Sequence, residues 1–483
     1  MSAKLWQQLT DSLGERATTD LFERRFYERD LGPVPDFLVN NIAKPMPDII
    51  VRPKTVEEMA EIVRAAGIEH VPVTPRAGGS TVYFNSVCAR QGVLADLNAL
   101  EGVRSIDKDA NTVRVGAGTT WSSLERALNR EGLAVLSYPS SAPAASVGGW
   151  LAMKGYGIGS LRYGQMVYHV DAAQTVLADG SIHELTKTTD VPVSWMAAAE
   201  GTLGIMTELT LKVRPCPEAE WHGLAECKDA VSMQAFIEQA VEASDKPFNL
   251  HFSDPGCNAL RHRHGLASER AAKSFTVAYD VDGTKLQVDT AANQFNQLLV
   301  TTGAVDMSEE AKEEWQHRFF SLLLKREGPS LLGAEMWMPI NKLAAYLKDI
   351  NNYEAKNKLG LKTYGHVVTP KYAMVMTMFN ADERNTVGYV QGLALVKKIH
   401  DIGARYGGSP YGIGLWNTPY LSRCYTSTQL AELKRRKKML DPQNIMNPGK
   451  LYQAPLFLNP VLFGIGMDVL VATRSFYQGR NNA

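Results

Sequence analysis

Cysteine is scarce in this chain, with five in 483 residues (Cys88, Cys216, Cys227, Cys257 and Cys424) and no CxxC pair. Zinc ribbons and chain-borne iron–sulfur clusters need clustered thiolates, so both are excluded. An odd, scattered set fits a reducing compartment. Net charge is also missing: Lys plus Arg and Asp plus Glu each number 51. No global field therefore draws the chain to nucleic acid or an anionic membrane. The KRRKK run at 434–438 reads as a solvated helix face. No G-x-x-x-x-G-K-[ST] occurs, and no G-x-G-x-x-G follows a strand, which excludes a P-loop nucleotidase and a dinucleotide-binding Rossmann domain. The opening, MSAKLWQQLTDSLGERAT, has no apolar leader, so a cytoplasmic protein is expected. What is present is an ordinary globular balance of 45% hydrophobic and 21% charged residues.

The organisation is mixed. Residues 1–44 read as a helical lead-in. Ile49 to Val51 is a short strand, Thr55 and Glu58 form a capping box, and Val56, Met59, Ile62, Val63 and Ala66 recur at helical spacing. Gly67 is placed to stop that helix, and His70 to Thr74 gives a second strand, paired parallel to the first through a right-handed crossover. Further strands are expected at Thr112 to Val115, Val170 to Leu177 (before the turn Asp179-Gly180) and Leu203 to Val213. Beyond Pro215 and Pro217 strands and helices alternate, with Ser308 capping a helix running towards Arg326 and a hairpin joining Thr363 to Val368 with Tyr372 to Phe379. This predicts a duplicated β-α-β half, an antiparallel sheet with helices on one face. Residues 455–476 are the most apolar stretch, interrupted by Pro460 and Asp468 and short of the ~20 clean apolar residues a span requires.

Three segments carry chemistry. The first is Arg76, Ala77, Gly78, Gly79, Ser80 and Thr81, directly after a strand, where successive glycines let main-chain N–H groups turn inward on an anion. The second is 137–165, with Pro139, Ser140, Ser146, Gly148, Gly149, Gly155, Gly157, Gly159 and Ser160. Its small residues let the backbone lie against a long flat ligand. The third is Ala199-Glu200-Gly201-Thr202-Leu203-Gly204-Ile205, again leading into a strand.

In this order, with "AEGTLGIMTELTLKVRP" and the closing "DPQNIMNPGK", the chain resembles the FAD-linked oxidases of the vanillyl-alcohol oxidase/p-cresol methylhydroxylase superfamily. Within it the chain looks most like the glycolate oxidase/D-lactate dehydrogenase branch. The resemblance covers roughly residues 45–455. It implies an α+β fold: a PCMH-type FAD-binding domain over 45–217, a ferredoxin-like cap with the substrate site over 218–424, and a return to the FAD domain over 425–454. Residues 455–483 are left as an apolar tail. Carried over by position, Arg76 to Thr81 would hold the pyrophosphate. Ser146, Gly148 and Gly149, with the Gly155 to Ser160 turn, would follow the ribityl chain and flavin edge. Glu200, Gly204 and Ile205 would touch the cofactor, and Asn447 would face the flavin. The first loop has no histidine to tether the flavin, so noncovalent FAD is expected.

The catalytic half departs from the branch. Its G-H-x-G-D-G-N-x-H becomes Gly365-His366 through Ala373, with alanine in place of the second metal-binding histidine. Its E-H-G-I-G becomes Pro410-Tyr411-Gly412-Ile413-Gly414. One histidine does not make a metal site, so none is expected. Hydride transfer from an alcohol still needs a base. His366 leads, since an imidazole titrates near neutrality. Tyr411 and Tyr364 follow, each needing a cation such as Lys371 or His366 nearby to lower its pKa. The cluster Arg261-His262-Arg263-His264 is either a carboxylate clamp or an inert exposed patch.

Three readings stand. One is an FAD-dependent dehydrogenase of a 2-hydroxy acid or related alcohol, passing electrons to an external acceptor such as an iron–sulfur subunit or electron-transfer flavoprotein. Another is an FAD-fold subunit of an electron-transfer complex that has lost its own substrate chemistry. The third is a phenolic alcohol dehydrogenase using Tyr411. The tail is expected to dock a partner subunit or, less favoured, to touch the inner face of a membrane.

Overall fold

A computed structural model describes residues 3–32, 34–319, 322–453, 455 and 458–481. The chain divides into two compact units, one of residues 1–155, 165–215 and 412–463, the other of 156–164, 216–411 and 464–483. The architecture is α+β, as expected.

The first unit holds two sheets. A four-stranded sheet runs Ala17–Thr18, Ile49–Val51, Val93–Asp96, Val73–Arg76. The expected parallel pair therefore needs correction. Ile49–Val51 and Val73–Arg76 are parallel members of one sheet, but Val93–Asp96 lies between them and pairs with both. That central strand, wholly buried, is only four residues long and carries no alternation to betray it. Gly67 does not stop the crossover helix, which spans Val56–Ile68. The turn comes later. His70 takes the left-handed conformation (φ 52°), and Val71 N–H reaches back to Ala66 C=O (2.8 Å), a Schellman closure. Pro75 fits Val73–Arg76 because that strand ends the sheet. The closing loop covers this edge: Val73 N–H donates to Ile445 C=O and Asn447 N–H to Val73 C=O, both 2.8 Å. The second sheet has six strands, with Ile205–Pro215 paired to Thr112–Gly116, Val170–Val176 and Leu133–Val135.

The second unit is built on an eight-stranded, fully antiparallel sheet. Two similar halves meet in its middle, where Asn249–Ser253 pairs with Lys362–Val367. Aromatic side chains fix one face to helices: Phe236 of Ala230–Ala240 and Phe295 of Lys285–Thr302 pack on Tyr279, and Tyr346 of Leu343–Asn357 hydrogen-bonds Thr377 at 2.7 Å. Pro255–Arg263 and Ser308–Gln316 lie toward the other face, where they line a cleft with strand residues of the sheet. The latter helix corrects the sequence reading: Ser308 is its first residue, not its cap. Asp306 accepts both the N–H and the hydroxyl of Ser308 (3.0 and 2.5 Å), and the helix ends at Gln316.

Candidate active site

In the first unit the three glycine-rich segments converge. A Cβ on Gly78 would sit 1.9 Å from Ala144 C=O, and one on Gly201 would meet Pro75 at 2.4 Å, so the first loop packs on the second and third. Glycine is required at both contacts. Gly79 is left-handed (φ 56°) and lies against the Arg76 guanidinium. The N–H groups of residues 77–81 donate to no acceptor among the described residues. A row of unspent donors on a glycine turn is what a pyrophosphate satisfies, so this cradle fits FAD.

Arg76 itself is partly committed. Its Nη1 donates to Arg29 C=O (2.6 Å), and the guanidinium lies over the Tyr27 ring. Ser146 caps the short helix Val147–Ala152 by accepting from Gly149 N–H (3.2 Å), and Gly148 abuts Ala117. Pro139 accepts from Ala142 N–H, and Ser140 is half-buried. The segment splits at this point: Gly155 belongs to the first unit, whereas Gly157, Gly159 and Ser160 belong to the second. There Gly159 N–H donates to Phe248 C=O (2.8 Å) and Gly157 N–H to the Ser160 hydroxyl (3.0 Å).

Glu200 and Asn447 are structural clasps around the cradle. Glu200 is left-handed (φ 50°) and buried, and both its oxygens accept from Gly414 N–H at 3.0 Å. Burial pushes its carboxyl up to about 7. Asn447 spends its amide N–H groups on Asn85 C=O (2.9 Å) and Glu200 C=O (2.7 Å). Gly204 abuts Thr175, and Ile205 is core.

The second unit carries the polar cleft, lined by side chains of the sheet and of the helices on this face. Strand alternation places Asn249, His251 and Ser253 on one face, and the register sets His251 between Ala278 and His366. His366 is 7% exposed, and neither ring nitrogen has a hydrogen-bond partner. Burial holds its pKa down to about 4, and burial with the neighbouring His366 holds His251 well below the usual imidazole range. Both rings are therefore neutral at pH 7. Tyr364 completes the group, its ring 6.2 Å from His366 and 5.7 Å from His251.

Of the basic cluster, only Arg261 is both buried and in the cleft wall, where it pairs with Glu314 and donates to Leu266 C=O (3.2 Å). Arg263 is an exposed partner of Glu327, and His262 bonds Ala267 C=O. Tyr411 sits elsewhere in this unit, with Tyr156, Trp337, Val368 and Met374. Its hydroxyl accepts from Tyr156 N–H (3.2 Å), and burial raises its pKa. The cation needed to make it a base is not what shapes it. Lys371 is exposed in the hairpin turn. Ala373 and Pro410 are buried in the ladder, opposite Met338 and Met336. His251, Asp280 and Glu314 were not singled out from sequence. The polar alternation N-L-H-F-S at 249–253 is the signal for the first.

Comparison with known proteins agrees with this geometry. Residues 47–186 match the family model described as FAD binding domain, and residues 217–451 match that of the FAD linked oxidases, C-terminal domain. The chain belongs to the FAD-linked oxidases and is an FAD-dependent oxidoreductase. It is 25% identical over 430 residues to glycolate oxidase subunit GlcD of Bacillus subtilis (strain 168), covering 84% of this chain and 89% of that one. It is likewise 25% identical over 433 residues to a D-lactate dehydrogenase of Anaerostipes hadrus, covering 84% and 90%. In fold it is similar to 4-ethylphenol oxidase from Gulosibacter chungangensis (TM-score 0.77, 16% identity, covering 95% and 98%). It is also similar to an alkyldihydroxyacetonephosphate synthase (TM-score 0.76, 20% identity, covering 93% and 86%).

Proposed function

We propose that the protein oxidises a 2-hydroxy acid of the lactate or glycolate kind, with His366 as the base. The observation that carries this is a buried, neutral His366 with both nitrogens unspent, lining a polar cleft in a chain of this family. Bound FAD supplies the two-electron acceptor. The chain's own part is to hold the flavin on the 77–81 loop and the substrate in the cleft, and to receive the hydroxyl proton at a His366 nitrogen. A neutral imidazole does this without a metal ion, consistent with alanine at 373 and proline at 410. Glycolate oxidase subunit and D-lactate dehydrogenase among the relatives support the substrate class.

Electrons then pass to an external protein acceptor, for which the C-terminal helix is the proposed docking surface. Val461, Leu462, Ile465 and Val469 are exposed on it. Among the described residues no helix is long and apolar enough to cross a membrane. A cytoplasmic location belongs to the same reading and rests on the odd, scattered set of five cysteines, which fits a reducing compartment.

Anaerobic mixing of the holoenzyme with D-lactate, glycolate and aromatic alcohols tests the proposal. Bleaching of the flavin absorbance by a 2-hydroxy acid is expected. Bleaching by aromatic alcohols alone, or by nothing, overturns it.

A further inference from the structure

His251 and His366 stand directly opposite each other on neighbouring antiparallel strands, their ring centroids 4.6 Å apart and their planes at 53°. A neutral imidazole has one donor and one acceptor nitrogen. To bury one with neither engaged is costly unless a guest or a proton arrives. When the substrate hydroxyl gives its proton to His366, a cation forms in the same buried place, and burial opposes it.

The groups that face the pair are already committed. Glu314 is held by Arg261, and Asp280 accepts from Asn249 (2.8 Å) and shares a hydrogen bond with His222 (2.7 Å). Arg261 is itself a cation and adds to the cost of a second one. Arg318 and His317 line the cleft from the segment after Ser308–Gln316, and the Tyr364 phenol comes from the same strand as His366. The His251 ring makes no hydrogen bond among the described residues, its backbone being spent on the sheet. Its ring is the neighbour able to accept an N–H from a protonated His366.

We infer that His251 and His366 act as one proton-accepting unit. This rests on the oxidation proposed above. The substrate O–H bond breaks and its proton goes to His366. FAD, held by the 77–81 loop, would supply the two-electron acceptor for the C–H pair and its hydrogen as the carbon–oxygen double bond forms. The new imidazolium donates to the His251 nitrogen, so one proton is shared between two rings. Two charges this close repel, and the pair takes up a single proton before a much less favourable second. His251 is thus a positioning residue that sets the basicity of His366.

The test is an NMR titration of the substrate-free holoenzyme labelled at histidine Cε1, with the His366 signal assigned by His366→Gln. His251→Phe fills the space of the ring without a nitrogen. It is expected to lower the His366 midpoint by about one unit, tenfold in proton affinity. His251→Leu should do the same, which separates the lost nitrogen from altered packing. His251→Gln keeps a hydrogen-bond acceptor and should restore most of the shift. With D-lactate as reductant, His251→Phe should slow flavin reduction about tenfold and move its acid limb by the same unit, with KM and bound flavin unchanged. A midpoint that stays put or rises in the Phe and Leu variants means the rings merely repel, and overturns the inference. If D-lactate fails to reduce even the wild-type flavin, the substrate reading falls, while the titration still decides the pair.

Discussion

Two residues expose the difference between a motif and the work it does. Gly78 and Gly79 were legible in sequence because a Gly-Gly turn after a strand suggests an anion cradle. The structure adds why each is glycine: one abuts Ala144 C=O, and the other lies against Arg76 at positive φ. Gly79→Asp places a carboxylate where it pairs with Arg76 and repels a pyrophosphate. Flavin retention after dialysis is expected to weaken at least ~10-fold, the equivalent of 1.4 kcal/mol. A variant that keeps stoichiometric flavin rejects the cradle. His366 was legible as a fragment of a known motif, but its partner was not, because His251 lies 115 positions earlier and only strand register joins them. With its pKa near 4, His366 remains an unprotonated base through most of the acid range. Flavin reduction should stay flat from pH 8 to about 5 and fall only below that. An acid limb centred near 6.5 would mean a different base. The same depression has the opposite face in stability. The unfolded imidazole binds a proton below about 6.5, so the contribution of His366 to folding is lost as pH falls from there towards its folded pKa.

At the scale of elements, strongly patterned helices such as Val56–Ile68 and Lys285–Thr302 were readable from spacing and capping boxes. The wholly buried strand Val93–Asp96 was not. A four-residue run without alternation gives no period to detect, and its role comes from two partners distant in sequence. The closing segment DPQNIMNPGK was recognised as a structured loop, while the basic run before it was read as solvated. Lys437 departs from that reading. It is buried, pairs with Asp441 and donates to Thr202 C=O (2.9 Å) and Met446 C=O (2.7 Å). The helix Ser427–Leu440 is thereby tied both to the turn before Ile205–Pro215 and to the strand-covering loop. Lys437→Met removes the cation and leaves Asp441 buried without it, a loss of about 3–5 kcal/mol. Urea unfolding should show a lower midpoint at unchanged slope, while Lys434→Met on the exposed face should shift it by less than about 0.5 kcal/mol. Equal behaviour of the two variants would show that the clasp contributes nothing.

For the whole molecule, the open question is where electrons go once the flavin is reduced, and the C-terminal helix Pro460–Asn481 bears on it. Phe457, part of the apolar stretch read from sequence, lies outside the described residues. Leu458 is buried, Phe463 packs edge-on against Tyr420, and Asp468 pairs with Lys397 at 2.7 Å. Yet Val461, Leu462, Ile465 and Val469 remain 53–66% exposed. An apolar row of this kind is uncommon on a monomer without a use. Deleting residues 460–483 leaves the flavin cradle complete, since its loops end at residue 205 and the covering segment at 450. Lys397 keeps Asp401 at 2.7 Å, and Asp468 is largely exposed, so the lost ion pair is worth at most about 1 kcal/mol. The truncated enzyme should hold FAD and reduce a small dye at the full rate with D-lactate, its urea midpoint falling only by what the Phe463 contact and that ion pair supply. Transfer to an iron–sulfur or flavoprotein acceptor should fall at least ~10-fold, because lost docking area acts on association and not on hydride transfer. Loss of flavin, or an equal fall in the dye and protein assays, would assign the helix to the enzyme's own core.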